Sequence, residues 1–295
     1  MPYVVASDGV RLYYETVGSG PPLVLQTGGA GDGSMWRDAG YVDALSSVRR
    51  CVLLDHRGHG RSEQPPLAQA HTMERYAADV VDVLDDLAIE RTAFWGYSQG
   101  GEIGLALAAL HPSRIVALIT TGVISSPDRR ANSAEDTDGI RAIRHGGWAG
   151  FLDPAALSSM PAWFQRQVQA TNPEMLALWF EAYADWNPWD RLSQMAIPIL
   201  MFVGELEDPE HWNSRAAELA PNARLFALQV STIWEPTSDP TWSCRSPRNS
   251  STALDLPSSF RAEPFVNLDH LCPNGGTRRR PRYVRGRFEP APLMP

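Results

Sequence analysis

The sequence predicts an α/β fold, with a mostly parallel central sheet flanked by helices and interrupted by a helical cap insertion. Short runs rich in β-branched and aliphatic residues alternate with helical stretches along the chain. Two of these runs, residues 22–25 and 51–54, are continuously apolar. Such runs are typical of strands that helices bury on both faces. We therefore expect a core built on buried parallel strands.

The first predicted elements alternate in type. Strands are predicted within VRLYYETVG, PPLVLQTGG and RRCVLLDHRG, which together span residues 10–58. A connecting helix is predicted over residues 35–47. Residues 73–89 form a second predicted helix, because apolar side chains recur there at helical spacing (Tyr76, Val80, Val83, Leu84 and Leu87). Next comes RTAFWGYSQGG, a strand that runs directly into a glycine turn, and then the apolar helix EIGLALAAL, ended by His111 and Pro112.

In the second half of the chain, the alternation of predicted strands and helices is interrupted by an aromatic-rich segment and then resumes. After the predicted strand IVALITTGV, the segment up to residue 193 is rich in aromatic residues and broken by prolines, which indicates a helical cap. IPILMFVGE and ARLFALQV are predicted strands with the helix SRAAELA between them, and they nearly complete the sheet by Val230. This organisation divides the chain into core (1–124), cap (125–193), continued core (194–230) and an atypical end (231–295). That end is Ser/Thr/Pro-rich and then Arg/Pro-rich, without helical or strand periodicity.

Composition excludes several classes of function. A net charge of −8 and a pI near 5.4 argue against a nucleic-acid partner, which requires a surplus of basic residues. We expect a cytoplasmic protein, because the sequence has neither a signal-peptide pattern nor an apolar run long enough for a membrane span. The three cysteines are widely spaced and show no metal-ligand pattern with histidines, so neither a disulfide framework nor a zinc site is indicated.

The segment GYSQGG places Ser98 between a predicted strand and a predicted helix. The pattern G-x-S-x-G is weak alone, but this context is the one that a serine nucleophile requires. Two further segments accompany it in order, the entry hairpin SDGVRLYYETVGSGPPLVL and the turn DHRGHGRS. With these motifs, residues 8–124 and 194–230 resemble the α/β-hydrolase fold family, and the resemblance implies that Ser98 is the nucleophile.

The same resemblance implies an oxyanion hole made of two backbone amides, those of Gly29 and Gln99. Gly29 lies in the loop QTGGAGDG, and Gln99 opens the helix after the nucleophile. The family commonly has histidine where Thr27 stands, but an amide donor does not depend on that side chain. The alternative interpretation is that the four glycines of this loop merely make it flexible.

A serine hydroxyl needs a base, and the base needs a carboxylate that orients it. FVGELEDPEHW offers the acid: family spacing selects Glu207, whereas the acid-proline pair selects Asp208, and both remain open. His270 in VNLDHL resembles the family's base, although about forty residues separate it from the last predicted strand. His211 follows the acid too closely and is expected at the surface.

The remaining histidines have no predicted catalytic role. His56 and His59 belong to a glycine turn, and His71 and His145 are expected at the surface. Arg57 is expected to fix its turn.

The resemblance implies an acyl-enzyme, because relatives that open epoxides or displace halide carry aspartate at the position of Ser98. The predicted function is hydrolysis of a carboxylic ester or lactone, with a small apolar or aromatic ester-like substrate and without a metal or organic cofactor. Carbon-carbon bond hydrolysis, cofactor-free perhydrolysis and a catalytically impaired small-molecule-binding protein remain alternatives. The oligomeric state is open.

Overall fold

A computed structural model describes residues 2–122, 124, 126–127, 134–150, 154–184, 186–204, 211–228 and 244–245. Within these residues nine strands form one sheet, in the order β1-β2-β4-β3-β5-β6-β7-β8-β9. Their bounds are β1 Tyr3–Val5, β2 Arg11–Val17, β3 Pro22–Gln26, β4 Arg50–Asp55, β5 Thr92–Tyr97, β6 Ile115–Thr121, β7 Ile199–Gly204, β8 Ala223–Leu228 and β9 Cys244–Arg245.

The centre of the sheet is parallel. Strands β4, β3, β5, β6, β7 and β8 pair in parallel, whereas β1 and β2 at one edge and β9 at the other pair antiparallel. In parallel pairs the carboxyl ends of the strands lie on one edge of the sheet, where loops converge. The predicted α/β fold with a mostly parallel sheet is therefore confirmed.

Helices lie between the strands and in one long insertion between β6 and β7. Their bounds are α1 Met35–Asp38, α2 Tyr41–Leu45, α3 Met73–Asp86, α4 Gln99–Leu110, α5 Ala134–Gly146, α6 Pro154–Ser159, α7 Ala162–Ala170, α8 Pro173–Ala184, α9 Trp189–Leu192 and α10 Trp212–Leu219. We call helices α5 to α9 the insertion. No helix within the described residues is long and apolar enough to span a membrane.

Neighbouring residues of the central strands belong to two different hydrophobic cores, one on each face of the sheet. Val24 and Phe94 belong to the larger core, which includes the buried side chains of α3 and α4. Leu25 and Trp95 belong to the second core, with Trp36 of α1. Because successive side chains of a strand point to opposite faces, burial of both faces requires an uninterrupted apolar run. This is the physical reason for the pattern seen in the sequence.

The insertion is joined to the main core through α8. Trp179 is 1% exposed and stacks on Tyr183 with ring centroids 4.8 Å apart, and both belong to the larger core. Helix α5 packs on α8 through Ile143 and Leu176. Much of the aromatic content of this segment therefore serves packing among helices and sheet.

Three details differ from the predicted elements. The helix predicted over residues 35–47 is two short helices, because Gly40 adopts φ 81° between them. The edge strand β1 was not predicted, since three residues are too few to show a periodicity. A further strand of two residues, β9, pairs with β8 after Val230, where the sheet was predicted to be nearly complete.

Candidate active site

Ser98 lies between β5, which ends at Tyr97, and α4, which begins at Gln99. Its φ of 51° and ψ of −120° place a non-glycine residue in strained backbone, at a cost of about 1–3 kcal/mol. The Ser98 amide donates to the Thr121 carbonyl at 2.7 Å, and the Ser98 carbonyl accepts from the Gly101 amide at 2.8 Å. The side chain is exposed at the carboxyl edge of the sheet. The predicted strand, sharp turn and helix are all present.

The two glycines that flank this turn are required by close approach of the backbone. A Cβ on Gly96 would lie 2.1 Å from the Gly100 carbonyl oxygen, and a Cβ on Gly100 would lie 2.4 Å from the Gln26 carbonyl oxygen. Both distances are far below van der Waals contact. Only glycine lets α4 start directly against the end of β3, so the spacing of the motif follows from packing.

The loop of residues 27–33, which we call the glycine loop, lies against Ser98. A Cβ on Gly28 would sit 3.0 Å from the Ser98 Cβ, and a Cβ on Gly29 would sit 1.9 Å from the Gln99 side-chain oxygen. A Cβ on Gly31 or Gly33 would lie 2.8 or 3.1 Å from its nearest neighbour, respectively. All four glycines are buried, and none has a positive φ. The loop is therefore closely packed on its neighbours, which does not favour the interpretation of a merely flexible loop.

Two backbone amides next to Ser98 have no acceptor within the described residues, those of Gly29 and Gln99. The first amides of a helix have no intrahelical partner, and the helix dipole adds positive potential there. Thr27 does not compete for them, because its hydroxyl donates to the Gly31 carbonyl at 3.2 Å. Such unpaired donors beside a hydroxyl are suited to bind a developing oxyanion.

A pocket of about 260 Å³, including the open space at its mouth, adjoins Ser98. Its apolar lining includes Leu105, Ile124 and Met201. Glu102 also lines it and accepts a hydrogen bond from the Tyr183 hydroxyl at 3.4 Å. Its closed part has room for about one water molecule, so what it provides is an apolar surface next to the serine.

The turn of residues 55–62 packs against the glycine loop. The fully buried Asp55 carboxylate accepts the Gly33 amide at 2.7 Å and the Arg61 amide at 2.9 Å, and burial raises the pKa of Asp55. Within the same turn, the buried Arg57 donates to both carboxylate oxygens of Asp79. Arg57 fixes its turn, as predicted.

The insertion contacts the glycine loop from the other side. The Gln167 side-chain amide of α7 donates to the hydroxyl of Ser34, the residue that follows the loop, at 2.9 Å. Phe164 and Val168 of the same helix pack on Ala30. Helix α7 thereby covers the loop that lies against Ser98.

The predicted acid and base cannot be placed in the same way. Glu207, Asp208 and His270 lie outside the described residues, so their roles stay predictions. Strand β7 ends at Gly204, at the carboxyl edge of the sheet where Ser98 also lies. His211 is exposed and precedes α10, in agreement with its expected surface position.

Sequence reasoning missed the burial of three histidines. His71 was expected at the surface and is 2% exposed, because its ring accepts from the Tyr76 hydroxyl and donates to the Pro65 carbonyl, both at 2.8 Å. His56 and His59, read as ordinary turn residues, are 1% and 3% exposed. A histidine in a glycine-rich turn gives no local sign of burial, since the covering residues come from distant segments.

Sequence reasoning also missed Asn213. This buried side chain accepts the Ile124 amide and donates to the Gly122 carbonyl, each at 3.0 Å, and so ties α10 to the segment after β6. Among the described residues, no cluster of potential metal ligands occurs.

Comparison with known proteins identifies the family. A family model for the alpha/beta hydrolase fold matches residues 21–219. A Caulobacter sp. (strain K31) protein named "Putative carbamate hydrolase RutD" is 31% identical, over 72% of this chain and 85% of its own length. A non-heme chloroperoxidase of Streptomyces lividans is 27% identical, over 77% and 90%. The crystal structure of the enol-lactonase from Burkholderia xenovorans LB400 superposes with a TM-score of 0.66 at 28% identity, over 79% and 93%. The chain therefore belongs to the α/β-hydrolase fold family.

Proposed function

We propose that this protein is a serine hydrolase that cleaves a carboxylic ester or lactone through an acyl-enzyme on Ser98. The observation that carries the proposal is an exposed, strained serine flanked by two backbone amides, those of Gly29 and Gln99, that have no acceptor in the part of the chain that the structure describes. Strained residues persist where the surrounding structure over-determines them, and they cluster at active sites. A hydroxyl beside paired amide donors is the arrangement that acyl transfer requires.

The proposed reaction has two steps. The Ser98 hydroxyl attacks the substrate carbonyl while His270 takes its proton, and Glu207 or Asp208 orients the imidazole. The amides of Gly29 and Gln99 stabilise the tetrahedral oxyanion, which collapses to the acyl-enzyme as His270 protonates the leaving alcohol. Water then attacks the acyl-enzyme with the same base, releasing the acid and restoring the serine.

The apolar lining of the pocket favours an apolar acyl group. Leu105, Ile124 and Met201 line it, and helix α7 covers the adjoining glycine loop. The enol-lactonase structure and the relative named as a carbamate hydrolase make lactones and carbamates the natural additions to simple esters as candidate substrates. No residue of the proposed mechanism requires a metal or an organic cofactor.

A second candidate is cofactor-free perhydrolysis, which the chloroperoxidase relative favours. In that reaction hydrogen peroxide attacks the acyl-enzyme on Ser98 in place of water and releases a peroxyacid. The first half-reaction is the same, so the two candidates differ only in the nucleophile of the second step.

Hydrolysis of 4-nitrophenyl acetate and butyrate tests the proposal, with a lactone and an aryl carbamate assayed in parallel. Turnover is expected, and Ser98→Ala is expected to reduce it to the rate of the buffer. Loss in Ser98→Ala together with full activity in His270→Ala would remove His270 from the mechanism. Binding of the ester without turnover by the wild type would instead favour a catalytically impaired binding protein. Addition of hydrogen peroxide separates perhydrolysis, since peroxyacid then forms at the expense of the carboxylic acid.

A further inference from the structure

The turn of residues 55–62 buries two histidines that the proposed reaction does not use. The rings of His56 and His59 are in contact, with centroids 3.9 Å apart and their planes tilted by 32°. Both are almost fully shielded from solvent. Buried polar groups require partners, so the partner of each ring indicates what it does. His56 accepts from the side-chain amide of Gln26 at 3.0 Å, within the core. His59 points instead to the glycine loop.

Both ring nitrogens of His59 face a carbonyl oxygen, which only accepts: Nε2 lies 2.8 Å from that of Gly29, and Nδ1 lies 3.5 Å from that of Arg57. A neutral ring carries one proton, and the contact of normal hydrogen-bond length is the one to Gly29. The geometry therefore favours the tautomer in which Nε2 carries the proton and donates to Gly29. Burial lowers the pKa of His59 to about 4, so near neutral pH the ring is neutral and holds this single donor tautomer.

Gly29 is a residue of the glycine loop whose backbone direction depends on restraints from outside the loop. Glycine has no side chain to limit φ and ψ, so its peptide planes rotate unless hydrogen bonds or contacts fix them. The Gly29 amide has no acceptor within the described residues. The Gly29 Cα packs against the side chain of Gln99, which leaves no room for a Cβ unless that side chain moves. The bond from His59 to the Gly29 carbonyl holds the peptide plane that follows the Gly29 Cα, while the Gln99 side chain packs against the Cα itself. Together these two contacts restrict the backbone of Gly29, and with it the direction of the preceding amide.

We propose that His59 is a positioning residue, whose Nε2–H···O bond to Gly29 keeps the Gly29 amide directed at the oxyanion that forms on Ser98. This inference rests on the proposed function and deepens it. It assigns a role to a histidine that does not touch the substrate. The role differs from general fold support, because the bond ends on the residue that supplies an oxyanion donor.

The expected signature is a loss in kcat with little change in KM. An oxyanion donor acts on the transition state and not on the bound ester, so misdirecting it leaves ground-state binding intact. Removal of a whole oxyanion donor costs roughly 100- to 1000-fold in kcat in other hydrolases. Loss of its positioning is expected to cost roughly 10- to 100-fold, within that limit.

The experiment compares His59→Met with His59→Gln. Methionine matches the length of the ring and lacks a donor, whereas the glutamine amide nitrogen reaches the position of Nε2. We expect His59→Met to lose kcat and His59→Gln to retain most of it, with KM unchanged in both. The control is His71→Met, which removes an equally buried histidine that bonds Pro65 and Tyr76 instead of the glycine loop. Equal kcat losses in the two methionine variants, or in His59→Met and His59→Gln, would overturn the proposal.

Two measurements keep the inference separate from the proposed function. Amide hydrogen exchange of a peptide covering residues 27–33 should be faster in His59→Met than in the wild type, and nearly unchanged in His59→Gln. This comparison holds even if the wild type hydrolyses none of the esters, which would refute the proposed function alone. Should His59→Met fail to fold, ¹⁵N spectra of the wild-type imidazoles decide: protonation of His59 at Nε2 supports the bond, and protonation at Nδ1 overturns it.

Discussion

Gly100→Ala is the substitution that tests most directly why α4 begins where it does. The added Cβ would lie 2.4 Å from the Gln26 carbonyl oxygen and 2.7 Å from the Thr27 carbonyl oxygen. Both atoms belong to the backbone, so no side chain can swing away. To restore even a tight contact of 3.0 Å, α4 must retreat by at least about 0.6 Å. The retreat carries Ser98 away from the glycine loop.

The magnitude follows from two opposing effects. Overpacking of a close-packed site costs about 1–3 kcal/mol, while glycine to alanine in a helix gains up to about 1 kcal/mol. Gly101→Ala is the matched control for stability, because it has the same helical gain and its Cβ would meet Thr120 at 3.4 Å, an ordinary contact. We therefore expect Gly100→Ala to be less stable than Gly101→Ala by about 1–3 kcal/mol. Displacement of the nucleophile by part of an ångström should also lower kcat tenfold or more, since a misplacement of about 1 Å can cost roughly 100-fold.

Urea unfolding followed by tryptophan fluorescence measures the free energy of unfolding of both variants, and ester hydrolysis gives kcat for Gly100→Ala. If the two variants have equal unfolding midpoints, and Gly100→Ala keeps the kcat of the wild type, then the glycine is not required by close approach. The packing explanation of the motif would be wrong.

Three further predictions concern the buried His59, the buried Arg57–Asp79 pair and Met201 in the pocket. Burial lowers the pKa of His59 from 6.5 to about 4, so between these pH values the unfolded chain binds a proton at this residue and the folded chain does not. The free energy of unfolding of the wild type therefore falls as pH drops from 6.5 to 4, and about 3 kcal/mol of that fall is due to His59. Urea unfolding of His59→Gln should lack this part of the pH dependence; parallel pH curves for the two proteins would refute the prediction. Arg57→Met leaves the buried carboxylate of Asp79 unpaired and should lower the free energy of unfolding, measured in urea, by about 3–5 kcal/mol. Adding Asp79→Leu should restore part of this loss, and a double variant no more stable than Arg57→Met would argue against the buried pair. Met201→Ala should raise kcat/KM for 4-nitrophenyl hexanoate relative to the acetate, because Met201 lines the pocket; an unchanged ratio would place the acyl group elsewhere.

The fold was predictable because its signals are local. Burial of β3 and β4 on both faces requires the apolar runs that the sequence displays. The stripe of α3 shows in the same way, and the structure has its helix over Met73–Asp86. The turn at Ser98 was recognisable because close backbone approach demands Gly96 and Gly100 at fixed positions.

The supporting contacts of the site were not predictable, because they join distant segments. The bond from His59 to Gly29 and that from Gln167 to Ser34 link residues far apart in the chain. A polar turn such as DHRGHGRS gives no local sign that it will be buried beneath a loop. The break at Gly40 was missed for a related reason, since an isolated glycine in a helical pattern can be tolerated or can end the helix.

The central claim is that the hydroxyl of Ser98 attacks a carbonyl and carries the acyl group. Mass spectrometry of the intact protein, quenched in acid during turnover of 4-nitrophenyl acetate, tests it directly, with peptide mapping to locate the adduct. The account predicts one added acetyl group on the peptide that contains Ser98, and none in Ser98→Ala. Turnover that leaves Ser98 unmodified in the quenched wild type while Ser98→Ala remains active would contradict it.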